Sequence, residues 1–220
     1  MQQISLSGEL NRKVTDLQLS CIECDVKMMA VNKDLWNEIQ QKLTQLSGTL
    51  KIEDISKIPA IAASRKAYKA CGKDPSRYRL SAEALLRRIV NRGEIYQINN
   101  VVDLLNLVSI TTDFSIGGYD SDKINGNIEF GIGNQNEPYT GIGRGELNIE
   151  NMPVFRDEIG AFGTPTSDSD RTSVSLKTRR FLMIIIDFGG GELQQATELA
   201  TALLKKYAGA YNIEIDKVTK

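Results

Sequence analysis

The longest apolar block, "FLMIIIDF" at residues 181–188, limits the folds open to this chain more than any other feature. Eight residues are too few to cross a bilayer, and Asp187 lies inside the run. The block reads as a central strand. Ahead of it, from Asp120 onward, "NIEFGI", "GELNIE", "MPVFRD" and "TSVSLKT" are short alternating segments separated by Gly, Asn and Pro. That is the pattern of an antiparallel sheet or barrel. Behind it, Leu193, Ala196, Leu199, Ala200, Leu203, Leu204 and Tyr207 form one stripe of a closing helix. Segregated helices and meandering strands predict an α+β fold, an antiparallel or mixed sheet or barrel-like core flanked by helices.

The first half reads as a strand around Leu17–Met28 and an amphipathic helix around Lys33–Leu46. Pro59 suits a first helical turn, and Gly72 supplies the stop. "KDPSRYR" (73–79) is a basic, aromatic turn. Ser81 is the expected N-cap of a helix burying Leu85, Leu86, Ile89 and Val90 and ending near Gly93. Asn100 is the expected cap of the next helix. Asp103 then falls at its third position, where a carboxylate favours the positive helix end and can bond back to the cap. Asn106 projects from the same side and needs partners for its amide.

What the chain lacks narrows its chemistry. There is no histidine among 220 residues. Ser-His-Asp and Cys-His nucleophiles, His-ligated zinc and a His general base are therefore excluded. Three cysteines cannot all pair, which points to a reducing compartment. Cys21 and Cys24 have C-x-x-C spacing, but in an alternating strand a separation of three puts them on opposite faces. No metal or organic cofactor is implied. The opening "MQQISLSGEL" has no basic-then-apolar signal, so a cytoplasmic protein with no membrane partner is expected.

Net charge is −1, so no global field attracts nucleic acid, and DNA is not an expected partner. Between Arg65 and Val90, however, eight basic residues (Arg65, Lys66, Lys69, Lys73, Arg77, Arg79, Arg87, Arg88) face only Asp74 and Glu83. A window of +6 can track phosphates; it can equally be two solvated helix faces.

Three glycine-rich places invite a phosphate reading. "FGGGEL" (188–193) has neither a P-loop lysine nor a dinucleotide spacing, so a tight turn is expected. "TGIGRGEL" (140–147) reads as a hairpin carrying Arg144 and Glu146. In "SIGGYD" (115–120), two adjacent glycines admit a ligand or another backbone. The loop "GTPTSDSDRTS" (163–173) offers Thr164, Thr166, Ser167, Asp168, Ser169, Asp170, Arg171 and Thr172 as donors and acceptors, either around a pocket or as a surface excursion.

Taken in order, "AYKACGKDPSRYRLSAEALLRR" (67–88), "INNVVDLLNLVS" (98–109), "IGGYDSDKINGNIEF" (116–130) and an Asp-loop-Arg-Thr-Ser passage (157–173) resemble the B3/B4 domain of the phenylalanyl-tRNA synthetase β subunit, in the form of its free-standing relatives. The first 50 residues carry little of the resemblance. They are expected to add a strand and a helix integral to the same domain, with residues 51–220 forming the B3/B4-like part. The resemblance implies the B3/B4 fold and an editing module that binds the tRNA acceptor end and hydrolyses misattached tyrosine. Val101, Val102, Asp103 and Asn106 match the family helix, while Leu105 replaces its threonine. Gly117 stands where the family has a pocket histidine, and the acid that recognises tyrosine falls near Thr164–Asp170, with Asp168 and Asp170 the nearest carboxylates.

The resulting expectation is a tRNA-binding module that performs no aminoacylation and either deacylates mischarged tRNA in trans or, with two of the family's polar side chains absent, is a binding fold that has lost the reaction. Its pocket would be walled by Asn106, Gly117, Gly118, Tyr119, Arg144, Thr164, Asp168, Asp170 and Arg171. Arg65, Lys69, Lys73, Arg77 and Arg79 would engage phosphates, and Tyr68 and Tyr78 would stack on bases. A glycine at 117 would enlarge the pocket. The alternatives are a non-catalytic binder of a free amino acid or similar small ligand, and a module docking its basic helices on an acidic protein.

Overall fold

The structure, a computed structural model, describes residues 2–220. β1 (Ile4–Leu6), α1 (Gly8–Lys13) and β2 (Gln18–Asp25) open the chain, followed by α2 (Lys33–Thr49), α3 (Pro59–Cys71), α4 (Ser81–Arg92) and α5 (Asn100–Thr112). β3 (Ser115–Asp120), β4 (Ile128–Ile132), β5 (Thr140–Gly141), β6 (Gly145–Glu146), β7 (Pro153–Arg156), β8 (Ala161–Gly163) and β9 (Arg180–Asp187) come next. α6 (Leu193–Ala208) and β10 (Tyr211–Val218) close it.

Two open four-stranded sheets result, ordered β10-β2-β9-β3 and β1-β4-β7-β8, and no barrel closes among the described residues. The first is antiparallel throughout, whereas β1 joins β4 in parallel. The fold is α+β.

β9 explains its own sequence. Phe181, Met183 and Ile185 face a core made with α2, α4, α5 and α6, while Leu182, Ile184 and Ile186 face the core between the two sheets. A strand covered on both sides must be apolar at every position. Each such side chain contributes about 2 kcal/mol by leaving water. β2, beside it, splits its cysteines the same way: Cys24 enters the helical core and Cys21 the inter-sheet core. Burial pushes both thiols up to about 12, far from a reactive thiolate.

Local rules place most helix ends. Pro59 is the first residue of α3, and Gly72 ends it at φ 95°. Two caps fall one residue early. Leu80, not Ser81, flanks α4, and Ser81 is already helical. Asn99, not Asn100, caps α5 by accepting from the amides of Val101 and Val102 at 3.1 and 3.0 Å. Asn100 is taken up by tertiary bonds instead, accepting from Met29 N–H and donating to the carbonyls of Lys27 and Tyr207. Residues 172–178 are not a strand. A 3₁₀ turn at Asp170–Thr172 leads into a turn whose Thr178 hydroxyl donates to Asp120. β1, α1 and β10 answer to no motif read above.

Candidate functional site

β3 is an edge strand, and its two glycines lie against opposite cores. A Cβ on Gly117 would overlap the Tyr119 hydroxyl, and so would one on Gly163 in β8. The two glycines form a slot between the sheets, and the phenol of Tyr119 fills it. That ring is fully buried, edge-on to Phe162 at a centroid separation of 4.9 Å. On the helical side a Cβ at Gly118 would lie 2.6 Å from Leu105 Cδ1. The expected glycine-floored cavity is therefore occupied on both sides. The space given up at Gly117 goes to Tyr119, two residues along the same face.

The 163–171 loop comes to this edge. Asp168 Oδ2 accepts from Gly118 N–H at 3.2 Å, and backbone bridges join Gly163 to Asp168 and Gly141 to Ser169. Although residue 168 keeps some surface, its Oδ1 and the Tyr119 hydroxyl are both sealed from solvent, neither makes a well-formed hydrogen bond, and the two groups interact weakly with each other. Each influences the other's ionisation. Burial, against weaker help from Tyr119 and the Gly118 amide, raises the Asp168 carboxyl to about 7. Burial and the neighbouring Asp168 hold the Tyr119 phenol well above its ordinary range. Thr164 is internal: its hydroxyl donates to Ser167 O and accepts from the amides of Thr166 and Ser167.

Outside this sealed layer lies an open groove of about 510 Å³. Asp170 and Arg171 line it with Tyr139, Thr140, Ile159 and Ser169. Arg171 is committed: it forks onto Asp157 at 2.8 and 3.0 Å and bonds Gly160 O. Asp157 responds with a depressed pKa, since Arg171 and the amides of Asn125 and Gly160 outweigh its burial. Asp170 is exposed. Arg144 sits exposed in the turn between β5 and β6 and makes no ion pair among the described residues. Asn106 is half-buried on α5 without a side-chain hydrogen bond among those residues. The expected wall thus divides into a sealed set (Gly117, Gly118, Tyr119, Thr164, Asp168), a groove pair (Asp170, Arg171) and two residues apart.

Part of the basic segment is committed inside the fold. Glu83, fully buried on α4, receives Arg65 at 2.9 Å, Arg87 at 2.8 Å and Arg79 at 3.8 Å. Lys73 is only 8 % exposed; its ammonium donates to Asn148 O at 2.9 Å and Glu150 O at 2.7 Å and lies 3.9 Å from the Tyr78 ring centre. Lys73 is thus a strut between the 72–80 turn and the 148–150 segment, not a phosphate ligand. Tyr68 is fully buried, with its hydroxyl 2.9 Å from Thr166, and cannot stack on a base. Tyr78 is half-buried beneath Lys73. Lys66, Lys69, Arg77 and Arg79 remain exposed.

Asp103 is structural. Its carboxylate accepts from Ile98 N–H at 2.9 Å and the Trp36 indole at 2.7 Å, while burial raises its pKa. "FGGGEL" is a tight turn in which Asp187 Oδ1 already accepts the amides of Gly189 and Gly190, at 2.8 and 2.9 Å. Tyr139 lies outside every motif read above, and Gly163 opens the 163–173 loop without being given a role there. Only the close approach of β3 to β8 gives Gly163 its role.

A family model described as B3/4 domain matches residues 63–209. No curated protein matches. Among solved structures the chain is similar to an N-terminal fragment of the phenylalanyl-tRNA synthetase beta-subunit from Pyrococcus horikoshii, with 13% identity and a TM-score of 0.48. The alignment covers 98% of this chain and 53% of that one, so the chain spans about half the length of that structure.

Proposed function

The chain belongs to the B3/4 domain family, and on that premise we propose that it binds the acceptor end of a tRNA in the cytoplasm. Family membership over residues 63–209 is the observation that carries the reading. The exposed cations Lys66, Lys69, Arg77 and Arg79 support it, since they stand open to phosphates. We take residues 2–50 as integral to the same unit, since β2 lies between β9 and β10. The filled slot between Gly117 and Gly163 favours binding without ester hydrolysis, because an aminoacyl group would have to displace Tyr119.

The test is retention of charged and uncharged tRNA across a salt series, with release of amino acid from a panel of mischarged tRNAs scored in parallel. Retention that falls steeply with salt, without release, is the expected result. No retention at low salt overturns the proposal.

A second reading rests on the groove beside Asp170: binding of a free amino acid or similar small ligand. Its affinity would change little with salt.

A further inference from the structure

Three guanidinium groups converge on one carboxylate. Glu83 is fully buried, and Arg65, Arg79 and Arg87 all lie within 4 Å of it. One negative charge cannot neutralise three positive ones, so charge is left over where α3, the 72–80 turn and α4 meet. Arg77, exposed on that turn, enters no ion pair among the described residues and adds to the excess. Asp74 is the other carboxylate of the turn, and it accepts from Ser76 N–H.

The three arginines are committed to different degrees. Arg65 gives Nη1 to both Glu83 oxygens and Nη2 to the Ser76 hydroxyl at 3.3 Å. Arg87 gives Nε to Glu83 and Nη1 to Ile52 O. Arg79 touches Glu83 only through Nε at 3.8 Å, and 45 % of its side chain is exposed. Both terminal nitrogens of Arg79 are uncommitted among the described residues.

We infer that Glu83 is a positioning residue: it holds Arg65, Arg79 and Arg87 as a preorganised fork whose outward donors, with Arg77 and Ser76, take a phosphate group. The inference rests on the tRNA-binding reading for the identity of its ligand, a phosphodiester of the RNA backbone. Planar guanidinium groups suit this role, since they present paired donors to phosphate oxygens and stay charged at all working pH values. Fixing them in advance removes the ordering cost that a flexible side chain bears on binding.

Neutralising Glu83 gives opposite signs under the two accounts. If the residue merely subtracts charge, Glu83→Gln makes the surface more positive and tightens anion binding. If it positions the fork, the same change weakens binding despite the added positive charge. The experiment measures tRNA affinity by filter binding across a salt series for the wild type, Glu83→Gln and Arg79→Gln. The shift in melting temperature produced by inorganic phosphate is measured on the same three proteins. Glu83→Gln is expected to bind tRNA at least ~5-fold more weakly. Arg79→Gln, peripheral to the fold, is expected to lose a similar factor and about 1 from the slope of log affinity against log salt. Inorganic phosphate should raise the melting temperature of the wild type more than that of either variant.

Folded Glu83→Gln with unchanged or tighter tRNA binding overturns the inference. If that variant does not fold, Arg79→Gln decides: unchanged affinity and an unchanged phosphate response overturn it. Wild-type protein stabilised by phosphate through Arg79, yet unable to retain tRNA, would keep the anion site and remove the tRNA reading. A wild type that responds to neither ends both.

Discussion

Asp168 Oδ2 accepts the amide N–H of Gly118 at 3.2 Å, joining two residues fifty positions apart. The bond ties the 163–171 loop to the free edge of β3 and leaves Asp168 Oδ1 buried without a well-formed hydrogen bond. Protein interiors tolerate few such orphaned oxygens, so the proton on this carboxyl has a measurable effect on stability.

Asp168 holds its proton up to about pH 7 in the folded chain, well above the ordinary carboxyl value of an unfolded one. The native state therefore binds more protons between pH 4 and 7. The stabilisation is fully present below the unfolded pKa and is lost as pH rises through about 7, on the order of 4 kcal/mol in all. Asp157, with its depressed pKa, contributes in the opposite direction, so the variant must be compared with the wild type. Asp168→Asn keeps an acceptor for Gly118 N–H and should lose less stability than the wild type over that range. Melting temperatures that run parallel from pH 4 to 7 would contradict this.

Gly117→Ala should cost about 1–3 kcal/mol, because the new methyl meets the Tyr119 ring and hydroxyl in a closed slot. Tyr119→Phe alone should change stability by less than about 1 kcal/mol, since the lost hydroxyl makes no well-formed hydrogen bond and only a weak interaction with the Asp168 carboxyl. Combined, the two should cost less than their sum, as removing the hydroxyl frees part of the space. Denaturant unfolding of the four proteins checks the coupling; strict additivity would place the new methyl elsewhere.

Lys73→Met should separate stability from RNA binding. It removes the donor serving Asn148 O and Glu150 O, and a loss of about 1–3 kcal/mol is expected. tRNA affinity should stay within twofold of the wild type, because the ammonium is committed to those two carbonyls. A large drop in affinity with an unchanged melting temperature would return Lys73 to the binding surface.

Asp103→Ala leaves the Ile98 amide and the Trp36 indole without their acceptor. About 2–4 kcal/mol should be lost, more than the ~1 kcal/mol of a helix cap alone. Trp36 is the chain's single tryptophan, so its emission reports the broken bond directly. An unshifted emission maximum in the folded variant would show that the indole keeps its environment without the carboxylate.

The sequence by itself determined the elements whose rules are local. "FLMIIIDF" reads as a central strand, the C-x-x-C spacing in an alternating β2 splits its cysteines, and Pro59 and Gly72 bracket α3 through fixed backbone preferences. Family resemblance was likewise legible in ordered motifs, because they lie along the chain. Tertiary structure alone decided what the site residues do. Gly117 reads as open space until Gly163 and the Tyr119 phenol meet it across two sheets. Six basic charges in excess read as one diffuse RNA surface until two backbone carbonyls take Lys73 and Glu83 draws three arginines into a single fork. Whether a side chain is free or spent depends on partners distant in sequence, and periodicity carries no information about those.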